Sequence, residues 1–280
     1  MTHPTLGLFG INMTADVALM TRTAQTAEAL GYESLWTGEH IVLPDPHEAP
    51  SPAPPEADMV DTVAALSYLA GVTSTIKLGT GIIIVPQRRP ATLAKSLASL
   101  DLLSDGRLLF GLGVGYIPRE FEACDTPMEA RGERTDRYLE AMRALWTSDA
   151  VSIDNEYVHF DRVTANPKPA QADIHTVVGG HSLRAAQRSV SMGHGWYGFR
   201  RDLETTKADI ERLHRAADEI ERPDGLGRLE ISITPPGIPT PAEIEAYGEL
   251  GVDRLILLLS PHRGEAATLA VLEANAPSQG

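Results

Sequence analysis

Short apolar runs alternate with longer amphipathic stretches along almost the whole chain. Each apolar run has the length of a β-strand, and each stretch between two runs is long enough for a helix of several turns. This alternation predicts repeated strand–helix units and therefore a parallel sheet. The eight predicted strands cover residues 6–10, 34–37, 76–85, 107–113, 174–178, 194–198, 229–234 and 254–259.

The stretches between the strands carry the start and stop signals of helices. Thr14 and Asp16 are suitable N-terminal caps for the first helix, Gly31 follows its end, and Pro90 begins the third helix. Four of the joints between a helix and the next strand share one form, in which Gly is followed by polar residues: LGYESLW, AGVTSTIKLG, MGHGWYG and LGVDRLIL. The predicted helices cover residues 14–30, 59–73, 90–104, 129–147, 182–192, 202–221, 240–250 and 264–274.

One segment interrupts this regular pattern. Residues 149–172 contain an alternating stretch, VSIDNEYVHF, and then the Pro-containing segment NPKPAQ, so we predict a small hairpin-like insertion there. Eight strand–helix units in one chain predict an α/β fold of the (β/α)8 TIM-barrel type, in a single domain over residues 1–280. An open, doubly wound sheet is the alternative that the pattern leaves open.

Composition and charge limit the classes of partner. The formal net charge of −14 disfavours binding to nucleic acid or to anionic membranes. No apolar run approaches the roughly 20 residues of a membrane span, and the N-terminal sequence lacks the features of a secretory signal. Cys124 is the single cysteine, so no disulfide can form within the chain, and we expect a cytoplasmic protein.

Candidate chemistry begins where the second strand ends, in the sequence WTGEHIVLP. Glu39 and His40 follow that strand directly, and in a barrel this position lies at the rim that carries catalytic groups. Histidine is the side chain best suited to proton transfer near neutral pH. A helix cap or a solvent-facing loop residue is the alternative interpretation of His40. The proline-rich residues 44–58 that follow predict a long rim loop, with a role as a lid as one interpretation.

A second candidate site follows the fifth strand. The sequence VVGGHSLRAA places Gly179 and Gly180 between a strand and a helix that begins near His181 and Ser182. Glycine allows a ligand to approach the backbone, and the N–H groups at a helix N-terminus attract an anion. The sequence therefore suggests a phosphate site, to which Arg184 would add charge. An ordinary strand–helix turn capped by Ser182 remains the alternative.

Several longer segments resemble the luciferase-like monooxygenase superfamily, and in particular its actinobacterial branch that uses the deazaflavin coenzyme F420. The order and spacing of these segments carry the resemblance: SLWTGEH at 34–40, KLGTGIIIVPQRRPATLAKSLASLDLLSDGRLLFGLGVGYIPREFEA at 77–123, RTDRYLEAMRALWT at 134–147, NPKPAQ at 166–171 and VVGGHSLRAAQRSVSMGHGWYG at 177–198. The resemblance implies a hydride-transferring oxidoreductase that acts on a small organic substrate with F420, and by family analogy a homodimer.

The resemblance also implies roles for individual positions. His40 would face the reactive centre of the cofactor and handle substrate or a proton, with Glu39 as its companion. The bond between Gly81 and Ile82 would be a cis peptide that forms a bulge behind the cofactor ring. The remaining cofactor-binding positions would be Gly113, Val114 and Gly115 beside the ring, and Val178, Gly179, Gly180, His181 and Ser182 at the phosphate.

Other features leave alternatives open. Sugar-phosphate dehydrogenases of this branch carry an acid where this chain has Tyr116, so that activity is not expected. An FMN-dependent two-component monooxygenase on the same fold is the nearest alternative, although Ile41, in place of a second histidine, favours deazaflavin. A non-catalytic cofactor-binding protein and a metal-dependent hydrolase are further alternatives, but no metal-ligand spacing supports the latter.

Isolated residues are further candidates for the same site. The sequence GLGVGY at 111–116 lacks the third glycine of a dinucleotide-binding fingerprint, which excludes a Rossmann site there. Candidates for anion contacts are Arg88 with Arg89 and Arg200 with Arg201, and candidates for pocket walls are Trp196 and Phe199.

Overall fold

The strands form a closed parallel barrel. In the computed structural model, which describes residues 3–277, eight strands pair in parallel around a ring, and pairing of β3 with β5 closes it. This closure confirms the predicted TIM barrel and excludes the open sheet. The barrel strands are β1 (Thr5–Phe9), β2 (Ser34–Thr37), β3 (Lys77–Thr80) with its extension β4 (Ile83–Ile84), β5 (Leu108–Gly113), β8 (Thr176–Gly179), β9 (Gly195–Phe199), β10 (Glu230–Thr234) and β11 (Arg254–Leu258).

Helices pack around the outside of the barrel, close to the positions predicted from the sequence. The first helix begins later than expected because Asp16 is its N-cap and accepts a hydrogen bond from the Leu19 N–H. The short helix α4 has no counterpart among the predicted helices. The helices are α1 (Val17–Ala29), α2 (Thr62–Val72), α3 (Pro90–Leu103), α4 (Pro118–Ala123), α5 (Arg131–Thr147), α6 (Leu183–Met192), α7 (Leu203–Glu219), α8 (Pro241–Glu249) and α9 (Glu265–Ala274).

The third predicted strand, residues 76–85, is divided in two. The peptide bond between Gly81 and Ile82 is cis, as predicted, and the chain bulges there before it pairs again with β5 through Ile83 and Leu112. The side chain of Ile82 lies at the barrel mouth, where it packs on the inner cluster described below.

The predicted insertion is a two-stranded antiparallel hairpin. Its strands are β6 (Val151–Asp154) and β7 (His159–Val163), and they form a sheet separate from the barrel. The proline-rich residues 44–58 contain neither helix nor strand, in agreement with the predicted rim loop. No helix within residues 3–277 is both long enough and apolar enough to cross a membrane.

Apolar side chains form two layers. The larger layer lies between the barrel and its helices, and the smaller one fills the barrel interior. Trp36 and Tyr197 stack in the interior with ring centroids 5.7 Å apart, while Phe9 and Phe199 meet at 5.0 Å. The interior cluster consists of Phe9, Trp36, Leu109, Val177, Tyr197 and Ile256, with the half-buried Met13, Ile82, Phe199 and Leu258 packed against it. The barrel is therefore filled by side chains, and ligands must bind at its mouth.

Candidate active site

The parallel barrel brings the two candidate regions to the same end. His40 follows the carboxyl end of β2, and the Gly179–Gly180 turn follows the carboxyl end of β8. Ile82, which emerges from the bulge after β3, lies at this end and contacts the backbone near Gly179. His40 and the glycine turn therefore lie at the same end of the barrel.

The loop that carries His40 is fixed by a buried asparagine. Asn12 is fully buried, its Nδ2 donates to the carbonyls of Gly38 and Val60 at 2.9 and 2.7 Å, and its Oδ1 accepts from the Gly38 N–H at 2.9 Å. The hydroxyl of Thr62 donates a further hydrogen bond to the Gly38 carbonyl at 3.0 Å. Both backbone groups of Gly38 are thereby satisfied, and the next two residues leave the strand in a defined direction.

His40 is held by a buried acid that the sequence pattern does not reveal. The ring Nδ1 of His40 lies 3.2 Å from Oε2 of Glu120, and the Ile41 N–H donates to Oε1 of Glu120 at 2.7 Å. Glu120 is fully buried in the first turn of α4. The rings of Tyr116 and His40 meet almost at right angles with their centroids 5.9 Å apart, and burial together with the charge of Glu120 raises the pKa of Tyr116.

Glu39 points to a different partner from His40. Its Oε1 lies 3.0 Å from Nε of Arg88, and Nη2 of Arg88 contacts Oδ2 of Asp61 at 2.7 Å. The other oxygen of Glu39 is buried without a hydrogen-bond partner among residues 3–277. Burial raises the pKa of Glu39 to about 7, against the attraction of Arg88. Arg88, a candidate for cofactor contact, is thus engaged by two carboxylates.

Ile82 and two glycines form an apolar surface at the mouth. A Cβ atom on Gly113 would lie 2.5 Å from Cδ1 of Ile82, and one on Gly179 would lie 2.9 Å from its Cγ2. Ile82 therefore lies directly over the backbone of β5 and β8, and a Cβ at either glycine would require the Ile82 side chain to move. The half-buried Val114 and Gly115 continue the chain from β5 at this end of the barrel.

The glycine turn joins β8 to the N-terminus of α6, and the Gly180 N–H, which would be free in the predicted phosphate site, donates to the Tyr197 carbonyl at 3.4 Å. Gly180 has a φ of +125°, a conformation that favours glycine, and its carbonyl accepts from Nε1 of Trp196 at 2.7 Å. Ser182 caps α6, and its Oγ accepts from the Ala185 N–H at 3.1 Å. The Nε2 of His181 accepts from the Phe199 N–H at 3.2 Å, and desolvation followed by the charge of Arg201 lowers the pKa of His181.

Several candidate residues lie in the apolar layers or in salt bridges. Val178 is fully buried in the outer apolar layer, so contact between this residue and a ligand at the mouth would be through its backbone. Trp196 is buried in the same layer, whereas Phe199 belongs to the barrel interior. Arg201 forms a salt bridge with the buried Asp209 at 2.7 Å. Arg200 is exposed, at the residue after β9.

The mouth of the barrel combines an apolar surface, a helix N-terminus and a histidine ring. No group of three His, Cys, Asp or Glu side chains in the part of the chain that the structure describes is placed to hold a metal ion. An apolar surface formed by Ile82 over glycine backbone suits a flat ring, and a helix N-terminus after a glycine turn suits a phosphate. The ring of His40 stands at the same mouth and can exchange a proton with a bound molecule.

Comparison with known proteins identifies relatives of several kinds. An uncharacterized protein of Mycobacterium tuberculosis (strain ATCC 25618 / H37Rv) is 30% identical over 259 residues, covering 89% of this chain and 90% of that protein. An F420-dependent hydroxymycolic acid dehydrogenase of the same strain is 31% identical over 66% of this chain and 49% of its own length. The oxygenase component of a flavin-dependent trigonelline monooxygenase of Acinetobacter baylyi (strain ATCC 33305 / BD413 / ADP1) is 32% identical over 54% of this chain and 39% of its own length.

Solved structures share the fold at low sequence identity. The monooxygenase RslO1 from Streptomyces bottropensis is 20% identical with a TM-score of 0.75, covering 96% of this chain and 98% of its own. An F420-dependent secondary alcohol dehydrogenase in complex with an F420-acetone adduct is 16% identical with a TM-score of 0.78, covering 98% of each chain. The family model for luciferase-like monooxygenases matches residues 6–270. The chain, whose parallel strands close into a barrel, belongs to the luciferase-like monooxygenase family.

Proposed function

We propose that this protein is an oxidoreductase that transfers a hydride between coenzyme F420 and a small organic substrate at the carboxyl end of the barrel. One observation carries the proposal: the ring of His40 stands at the same mouth as the apolar surface of Ile82, Gly113 and Gly179. A relative named as an F420-dependent dehydrogenase and a structural neighbour named as an F420-dependent alcohol dehydrogenase support the choice of cofactor.

Different residues of this chain would bind the cofactor and transfer the proton. The deazaflavin ring supplies the two-electron redox chemistry when it is bound. Gly81 and Ile82 would back the ring, with Gly113, Val114 and Gly115 beside it. The turn formed by Val178, Gly179, Gly180, His181 and Ser182 would hold the phosphate at the N-terminus of α6. His40 would position the substrate and move a proton at its exposed ring nitrogen. Glu39 would hold the loop of His40 through Arg88.

A flavin-dependent monooxygenase is the second candidate. The family includes a relative named as a flavin-dependent monooxygenase component, and the same apolar surface would accept an isoalloxazine ring. Ile41, in place of a second histidine next to His40, favours the deazaflavin. Reduced flavin reacts with molecular oxygen, whereas reduced deazaflavin hardly does, so oxygen consumption separates the two candidates.

A binding titration with oxidised F420 and with FMN, side by side and followed by fluorescence, tests the proposal. We expect micromolar binding of F420 and much weaker binding of FMN. A preference for FMN, together with oxygen uptake by the reduced complex, would replace the proposal with the monooxygenase. Binding of neither cofactor would overturn both. His40→Gln is the matched variant, because we expect it to bind F420 normally and to lose turnover.

A homodimer and a cytoplasmic location are part of the same proposal. Both come from the sequence and the family resemblance. Sedimentation of the purified protein and fractionation of the source cells would test them independently of the cofactor.

A further inference from the structure

We propose that Glu120 is a positioning residue that fixes the tautomer of His40, so that the ring nitrogen at the barrel mouth is the one without a proton. The proposal adds a residue to the machinery of the proposed function and rests on it only for the effect on turnover. The tautomer itself is a property of the cofactor-free protein.

The surroundings of Glu120 are the first step of the argument. Its carboxylate is completely buried, although it lies only two residues after the start of α4. A buried carboxylate is costly unless donors reach its oxygens. Among residues 3–277, one oxygen has the Ile41 N–H as its donor and the other has the His40 ring. The salt bridges within the same part of the chain give Glu120 no partner other than His40.

The protonation pattern of the His40 ring follows from this contact. An ionised carboxylate is only an acceptor, so Nδ1 of His40 must carry the proton that joins it to Oε2 of Glu120. In the neutral ring one nitrogen is a donor and the other an acceptor. Nε2 of neutral His40 is therefore unprotonated and holds a free lone pair.

The position of Nε2 gives this tautomer a function. Nε2 has no hydrogen-bond partner among the residues that the structure describes, and it is absent from the polar atoms that are sealed from solvent. The ring as a whole is nearly buried, with 10% of the side chain exposed, and it lies against the ring of Tyr116. The lone pair is thus accessible to solvent at the end of the barrel that carries the proposed site, and we infer that it accepts a proton from a bound substrate, which the protonated ring can return.

Two separate contacts make Glu120 suited to positioning. The Ile41 N–H holds one carboxylate oxygen at 2.7 Å, so the carboxylate cannot rotate freely to follow the ring. Asn12 and Thr62 fix the backbone two residues before His40. The imidazole is therefore held from both sides, by its own loop and by α4. Oriented bases of this kind keep one tautomer throughout a catalytic cycle.

The test is nitrogen NMR of the cofactor-free protein labelled with ¹⁵N-histidine, above the pH range in which histidine titrates. Long-range ¹H–¹⁵N correlations distinguish a protonated Nδ1 from a protonated Nε2, and the His40→Gln spectrum identifies the signals of His40. We expect His40 in the wild-type protein to be protonated at Nδ1. A ring protonated at Nε2 would overturn the proposal without any variant.

The variant Glu120→Gln provides a second test of the tautomer of His40. Its amide can accept or donate, so we expect the Nδ1–H preference to be lost, while the amide oxygen still accepts from the Ile41 N–H. Glu39→Gln is the matched control, because Glu39 is a second buried acid, next to His40 in sequence, whose side chain contacts Arg88 and not the His40 ring. An unchanged His40 spectrum in Glu120→Gln, or the same change in Glu39→Gln, would contradict the proposal. Glu120→Asp replaces Glu120→Gln if the latter does not fold.

The effect on turnover is a separate readout. Once a substrate that reacts with F420 is known, we expect Glu120→Gln to lower kcat about 100-fold, which is within the contribution of a general acid or base to the rate. The KM for F420 should stay unchanged. A proportionate rise in KM with normal kcat would indicate a purely structural residue. If the protein binds no F420, the proposed function fails, but the NMR result still decides the tautomer.

Discussion

Glu39 and Arg88 form a salt bridge of 3.0 Å in which the side chain of Glu39 is only 3% exposed. One oxygen of Glu39 contacts Arg88, whereas the other is buried without a partner among residues 3–277. Burial therefore outweighs the attraction of Arg88 and raises the pKa of Glu39 to about 7. The acid beside His40 is consequently a pH-sensitive part of the loop that carries the site.

The first prediction concerns the stability of the protein as a function of pH. The folded protein holds a proton on Glu39 up to about pH 7, whereas the unfolded chain releases it near 4.5. The folded state thus binds more protons between these values, so the contribution of Glu39 to stability is complete below about pH 4.5 and is lost as the pH rises through about 7. A tenfold difference in proton affinity between the folded and unfolded states corresponds to about 1.4 kcal/mol of stability.

Glu39→Gln removes this titration. Urea denaturation of both proteins from about pH 5 to about pH 8 should show the variant gaining stability relative to the wild-type protein as the pH rises. A difference in the free energy of unfolding that stays constant across this range would contradict the assignment of the proton to Glu39.

The second prediction concerns the packing of Ile82 on Gly113. A Cβ on Gly113 would lie 2.5 Å from Cδ1 of Ile82, so Gly113→Ala overpacks the mouth and should cost about 1–3 kcal/mol of stability. Ile82→Val removes Cδ1 and alone should cost about 1 kcal/mol. We expect the double variant to lose less than the sum of the two single losses, because the second change relieves the first.

The affinity for the cofactor is a second measurement of the contact between Ile82 and Gly113. Gly113→Ala should displace Ile82 from the apolar surface and weaken F420 binding about tenfold or more, and Ile82→Val should restore part of the loss in the double variant. Additive losses of stability in the urea experiment would show that the two side chains do not meet as the structure has them.

The strands and most helices of the barrel can be predicted from the sequence, whereas helix α4 cannot. The sequence predicts a strand at residues 34–37, and these residues form β2. The prediction succeeds because a short apolar run between the end of a helix and a polar loop is typical of a buried strand. In contrast, α4 has six residues, too few for a helical period to appear. The acid that contacts His40 lies in that helix, so the sequence pattern reveals neither the helix nor the role of the acid.

The partners of Glu39 and His40 show why the site is only partly predictable. The two residues are adjacent in sequence, but one pairs with a residue 49 positions away and the other with a residue 80 positions away. Neither pairing follows from a local pattern, since each depends on where the bulge after β3 and the helix after β5 place their side chains. The residue types at the rim can be predicted, but their contacts require the folded chain.

The third prediction tests the asparagine that holds the loop of His40. Asn12→Leu keeps a similar volume but leaves the Gly38 N–H without an acceptor, which should cost about 1–3 kcal/mol. Thr62→Val is the matched control, because it removes only one of the two side-chain donors to the Gly38 carbonyl and should cost about 1 kcal/mol. Chemical denaturation measures both. Equal losses would mean that the Gly38 N–H does not depend on Asn12.

The fourth prediction separates the phosphate role of Ser182 from its role as a helix cap. Ser182→Ala removes the N-cap of α6 and should lower stability by about 1 kcal/mol. If the same hydroxyl holds the cofactor phosphate, the variant should also bind F420 about 10–100 times more weakly, the range for one lost hydrogen bond to a charged group. Binding of the deazariboflavin fragment that lacks the phosphate should stay unchanged.

Thr240→Ala is the control for this experiment, because Thr240 caps α8 through a capping box with Glu243. It should lower stability by a similar amount while F420 and the fragment bind as before. Since both variants lose a cap, only the phosphate contact can make their affinities for F420 differ. Equal weakening of F420 and of the fragment by Ser182→Ala would place the phosphate elsewhere, and the anion site at the β8–α6 turn would then be an ordinary capped turn.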